Sequence, residues 1–189
     1  MVRQADRLIG NIATTLDETG HADDTLLLVI ADNGTSSIGG HYGGKGKLDD
    51  RGVRLPNIVR WPGVIAAGRR SNALTDFSDI LPTLAEAAGI DPAAVSGIDG
   101  RSLLPHLRGD GPPPREWVFS AWDSGYFVRD ERWRLDSRGR LSHVGDPTGP
   151  AGHREVSESA ESTRARKRLE KVVARLGLAA KMDGEAGSK

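Results

Sequence analysis

The sequence has no cysteine, few aromatic side chains and no surplus of charge of either sign. Without thiols it can form no disulfide, hold no metal through thiolate and offer no cysteine nucleophile. Lys plus Arg and Asp plus Glu each number 26, so no net field draws the chain to nucleic acid or to an anionic membrane, and any anion binding must be local. Long apolar runs are also missing. The longest, Leu26 to Ala31, has the length of a strand and falls far short of the roughly 20 residues that span a bilayer. Neither nucleic acid nor a membrane is therefore an expected partner. The polar start Val2-Arg-Gln-Ala-Asp6 shows no signal peptide, which leaves the compartment open. At 189 residues the chain suffices for one domain with a core, or for part of a larger one.

What is present reads as an α/β pattern. Ala5, Leu8, Ile9, Ile12 and Leu16 recur at spacings of three and four, which predicts an amphipathic helix closed by Gly20. The run Thr25 to Ala31 is apolar without alternation, as expected of a strand covered on both faces in a parallel sheet. Residues 33–47 carry six glycines and form a loop at the carboxyl end of that strand, where open α/β sheets bind ligands. A second strand is predicted at Asn57 to Trp61 and a helix from an Asp79 cap through Gly89. Beyond the Gly111-Pro-Pro-Pro114 linker, Trp117 to Trp122 and Gly125 to Arg129 predict a small antiparallel hairpin. Residues 136–161 are polar and weakly patterned, 163–176 predict a charged amphipathic helix, and 179–189 a disordered tail. The expected domains are 1–109, an α/β part, and 115–178, a small C-terminal α+β subdomain.

Three positions carry the chemistry. Asp32 and Asn33 leave the strand as adjacent hard oxygen donors suited to Ca²⁺, with Mg²⁺ as an alternative. Asn33-Gly34 also suits a type I′ hairpin turn, although no alternating strand returns after it. Lys45, set among Gly43, Gly44 and Gly46, places an ammonium where an anionic ester could approach the backbone; a solvated loop lysine is the plainer reading. His41 could donate a proton to a leaving group, or be a surface residue. Asp49, Asp50, Arg51 and Arg54 form a charge cluster of the kind that holds a loop through ion pairs. Trp122, Asp123 and Tyr126 could line a substrate rim, or pack as core.

The order of these motifs closely resembles the arylsulfatase family within the alkaline-phosphatase-like superfamily. The matching stretches are Thr25 to Gly34, Gly43 to Pro56, Ile58 to Ile65, Thr75 to Gly89, Asp99 to Pro105, Tyr126 to Leu135 and Leu141 to Pro147. The resemblance implies a mixed sheet flanked by helices, with Asp32 and Asn33 as two ligands of a catalytic Ca²⁺ and Lys45 on the substrate sulfate. It implies hydrolysis of sulfate esters, small molecules or sulfated glycans, through a formylglycine made from a Cys/Ser-x-Pro-Ser-Arg motif. That motif and the family's Asp-Asp pair are absent from this chain, which matches the C-terminal portion of the family. Asp50-Arg51-Gly52 replaces the usual Glu-Gly-Gly. The chain alone is expected to be inactive, and a second chain carrying the N-terminal half is a candidate partner. A phosphonate or phosphate monoester hydrolase of the same superfamily is the alternative, although His is usual there at the position of Asn33. An inactive stand-alone module is the other.

Overall fold

The computed structural model describes residues 2–36, 43–94, 97–123, 125–145 and 154–178, with only the backbone of 154 and 155. In chain order the elements are α1 (Val2–Glu18), β1 (Leu27–Ile30), α2 (Asp50–Val53), β2 (Asn57–Arg60), α3 (Ile80–Ala87), α4 (Leu104–Arg108), β3 (Val118–Trp122), β4 (Gly125–Arg129), β5 (Trp133–Asp136), β6 (Leu141–His143), β7 (Arg154–Glu155) and α5 (Ala160–Arg175). They fall into two compact units. The first is Met1–Asp32 with Leu55–Ser71 and Asp76–Pro114; the second is Asn33–Arg54 with Asn72–Thr75 and Arg115–Lys189. The predicted tail 179–189 lies outside the described residues.

In the first unit, α1 forms where the apolar spacing places it, yet none of its residues is buried. Leu8 and Ile12 are 53% and 52% exposed. The strand reading needs a correction. β1 pairs antiparallel with β2, Leu27 opposite Arg60 and Ile30 opposite Asn57, and every residue of β1 is only half-buried. An unbroken apolar run permits cover on both faces, but strand direction and cover come from neighbours that the run does not specify. Arg60 pairs with Asp17 at 2.6 Å and the Trp61 indole donates to the Asp23 carbonyl at 2.6 Å, tying the end of β2 to α1 and to the turn before β1.

The same unit holds one closed polar knot. Asp76 caps the turn Phe77–Asp79, accepting from the Ser78 amide at 2.9 Å. Asp79 stands at the start of α3 but does not cap it as the sequence suggests. Its carboxylate, fully buried, accepts from the Asp76 and Arg101 amides, each at 2.8 Å. Thr83 donates to the Asp79 carbonyl at 2.6 Å and accepts from the Leu103 amide at 2.9 Å. Gly100 makes the approach possible: a Cβ there would meet the Ser78 carbonyl oxygen at 1.7 Å.

The second unit is a five-stranded antiparallel meander, β3 to β7 in sequence order, with α5 packed on one face. The expected hairpin, β3 and β4, is thus extended by three strands, two of them from the stretch that read as weakly patterned. Short strands of three and two residues leave too few positions for alternation to register. Val128, Trp133, Leu135 and Leu141 from the sheet pack against Ala165, Leu169 and Val173 of α5. A Ser159/Ser162 capping box starts α5 three residues before the predicted 163. Asp136 closes the β5–β6 turn, accepting from the Arg138 and Arg140 amides, each at 3.0 Å, and from the Arg140 guanidinium. Those bonds outweigh the upward push of burial and hold its carboxyl below the ordinary value.

Candidate functional site

Asn33, Gly34 and the Gly43–Arg54 segment fold together within the second unit. The Thr35 carbonyl accepts from the Gly44 amide at 2.9 Å and the Lys45 amide at 3.2 Å, and the Gly34 amide donates to the Gly52 carbonyl at 3.0 Å. Three glycines meet where these stretches cross. A Cβ on Gly34 would lie 1.9 Å from the Arg51 carbonyl oxygen, one on Gly44 2.0 Å from it, and one on Gly52 2.0 Å from the Lys47 carbonyl oxygen. Close backbone approach, which any side chain would block, is therefore the reason for glycine at all three.

The crossing brings Asn33 and Lys45 onto one hydrogen-bonded loop. Asn33 is half-buried and its Nδ2 donates to the Gly34 carbonyl at 3.1 Å, which orients the amide. Lys45 is exposed and follows the buried Gly44 directly. Asp32, also exposed, is the residue before Asn33 and closes the first stretch of the other unit. His41 lies outside the described residues. An acidic carboxylate followed by a neutral amide is a hard-oxygen donor pair that fits a divalent ion such as Ca²⁺, but supplies only part of the six to eight oxygens it takes. Among the described residues no group of three or more His, Cys, Asp or Glu could hold a metal.

The charge cluster after Lys45 resolves into distinct jobs. Asp49 caps α2 through the Arg51 amide at 3.0 Å and pairs with the Arg51 guanidinium. Burial pushes the Asp49 carboxyl up, but its bonds from Arg51 and Gly52 prevail and it ends below its ordinary value. Asp50 faces Arg129 at 3.8 Å, both side chains nearly covered. Arg134 donates from Nη2 to the Leu48 carbonyl at 2.8 Å and stacks its guanidinium 4.4 Å from the Phe127 ring centre. Burial lowers the pKa of both arginines, the acids around each offsetting part of the shift. The exposed Trp122 indole borders the turn, its Nε1 lying 3.9 Å from where a Gly46 Cβ would stand. Tyr126 instead packs beside the core, its ring 6.0 Å from that of Phe119.

The Sulfatase family model matches residues 1–90. Over 150 residues the chain is 37% identical to mouse (Mus musculus) steryl-sulfatase, an alignment covering 72% of this chain and 24% of that one. Human (Homo sapiens) arylsulfatase A is 37% identical over 124 residues, 61% of this chain and 24% of that one. The chain belongs to the sulfatase family. It spans about a quarter of the length of those curated relatives. The fold agrees: the crystal structure of Ps i-CgsB superposes with a TM-score of 0.73 at 24% identity, over 90% of this chain and 41% of that one. That protein is also solved in complex with k-i-k-neocarrahexaose.

Two sulfatase landmarks, Thr75 to Gly89 and Asp99 to Pro105, turn out to be the two sides of the Asp79 knot, so their spacing serves structure. The departure at Asp50-Arg51-Gly52 is also explained. Only the last glycine must lack a side chain, while the Arg51 side chain is 49% exposed on its pair with Asp49. Reading the residues one at a time missed Arg129 and Arg134 as loop supports. Strand alternation from Phe127 to Asp136 carried the signal, since Phe127, Arg129, Arg134 and Asp136 fall on the face opposite Val128, Trp133 and Leu135.

Proposed function

We propose that the chain supplies part of the active site of a sulfuric ester hydrolase. Lys45 contacts the sulfate of the substrate, Asp32 and Asn33 are two of the ligands of a Ca²⁺ ion, and His41 serves on sequence grounds as a proton donor to the leaving group. The observation that carries this is the loop itself: the glycine crossing rigidifies the backbone under an exposed ammonium and beside the Asn33 amide. A rigid cation costs less entropy to engage an anion than one on a mobile loop. A bound divalent ion would supply positive charge to the sulfate oxygens. The bond from its amide nitrogen to the Gly34 carbonyl fixes the plane of the Asn33 amide.

The chain has no cysteine and no serine two residues before a proline, so it carries no formylglycine precursor and does not turn over substrate alone. The remaining ligands and the nucleophile belong to a polypeptide carrying the N-terminal half of the fold, joined to this one or separate. The substrate is a small-molecule sulfate ester or a sulfated glycan. A protein combining this chain with a sulfatase N-terminal half bearing Cys-x-Pro-Ser-Arg should hydrolyse an aryl sulfate. Lys45→Ala should lower kcat/KM by at least about a hundredfold, the loss of one charged transition-state contact. Hydrolysis of aryl phosphonates with none of aryl sulfates would replace this reading with that of a phosphonate hydrolase. Undiminished activity of Lys45→Ala would remove the role given to the lysine.

A further inference from the structure

We propose that Arg134, supported by Arg129, is a positioning residue for Lys45, and that the sheet face opposite α5 is built to hold the anion-binding loop; this rests on the sulfate-binding role of Lys45. The sheet face is costly as it stands. Arg129 and Arg134 are direct cross-strand partners on β4 and β5, an arrangement of like charges that destabilises a sheet. The Arg129 side chain is only 14% exposed and Arg134 is half-buried, and the Arg134 Nε is buried with no hydrogen-bond partner. A buried donor left unpaired is itself destabilising. Two apolar side chains would avoid all three penalties.

What the arginines gain in return lies in the loop. Arg134 reaches the Leu48 carbonyl, 86 positions away in sequence and three residues after Lys45. Arg129 sits opposite Asp50, the first residue of α2. Phe127, from the same sheet face, backs the Arg134 guanidinium and fixes its plane. The segment Lys47–Asp50 is thereby fastened to the sheet. It carries the Lys47 carbonyl that touches Gly52, and the Lys47 amide donates to Gly44 at 3.0 Å. Gly44 and Lys45 in turn share the Thr35 carbonyl. A continuous set of contacts thus runs from Arg134 to the backbone that presents the Lys45 ammonium.

The test uses the isotope-labelled 189-residue chain with inorganic sulfate as the probe, comparing wild type with Arg134→Met, which keeps the apolar stem, and Arg134→Lys, which keeps one charge. Arg134→Met should speed hydrogen exchange of the Gly44, Lys45 and Lys47 amides by about tenfold or more, the loss of a charged hydrogen bond. Exchange in α5 and β6 should be unchanged, and Arg134→Lys should recover part of the protection. In a sulfate titration the Lys45 ammonium signal should shift in wild type, and at several-fold higher sulfate in Arg134→Met. Exchange that rises throughout the second unit, or not at all, overturns the positioning role; if Arg134→Met unfolds, the pattern in Arg134→Lys decides by the same criterion. Equal sulfate titrations in wild type and variant overturn it while leaving the Lys45 reading intact. If sulfate shifts Lys45 in neither chain, the same titration of the chain combined with its N-terminal half decides: no shift there means that the Lys45 reading has failed and the inference falls with it.

Discussion

The two units treat their apolar residues in opposite ways. In the second, Val128, Ala165 and Leu169 are buried to 1% exposure or less between sheet and helix, so the unit closes its own core. In the first, Leu8, Ile12, Ile58, Phe77, Leu81 and Leu84 remain exposed, and burial is concentrated around the Asp79 knot and Leu103–Leu104. The second unit encloses a core of its own, whereas the first leaves much of its apolar side-chain surface open among the described residues.

The sharpest way to break this contrast is to truncate one residue of each kind. Leu169→Ala removes a fully enclosed side chain and should cost about 3 kcal/mol, whereas Ile12→Ala on the open face of α1 should cost under about 0.5 kcal/mol. Denaturant melts of the two variants give both numbers; equal losses would mean that α1 packs in solution as the core does. Next in size is Asp79→Ala, which leaves two buried amides without an acceptor and should cost about 2 to 3 kcal/mol. Its loss should appear in the α3 and α4 amides and spare α5, as hydrogen exchange can show. The smallest effect concerns pH. Asp136 titrates below its ordinary value of 3.8 in the folded state, so its contribution is complete above that value and is lost as pH falls through the lowered one. Asp136→Asn should therefore flatten the acid limb of the second unit's stability curve and leave that of the first unchanged.

How much could be read in advance differed between elements for physical reasons. Helix α1 and helix α5 were legible because a stripe at helical spacing is a property of the segment alone. Strand β1 was legible as a strand but not in direction, because pairing is made by the residues opposite, Asn57–Arg60. Strands β6 and β7 escaped because three and two residues hold no period. At the site, Asp32, Asn33 and Lys45 stood out by type and order. Arg129 and Arg134 did not, since nothing local to them points to a loop some 80 positions upstream.

The sequence by itself determined the chemistry on offer: hard oxygens at Asp32 and Asn33, a cation at Lys45, no cysteine, and membership of the sulfatase family through motifs in fixed order. Residue type fixes which groups can ionise, ligate or attack, and chain order preserves their register. Only the tertiary structure decided that Gly34, Gly44 and Gly52 occupy one crossing and that Lys45 stands on a backbone fastened to the C-terminal sheet. Such contacts depend on distances between segments far apart in the chain, which no local preference encodes.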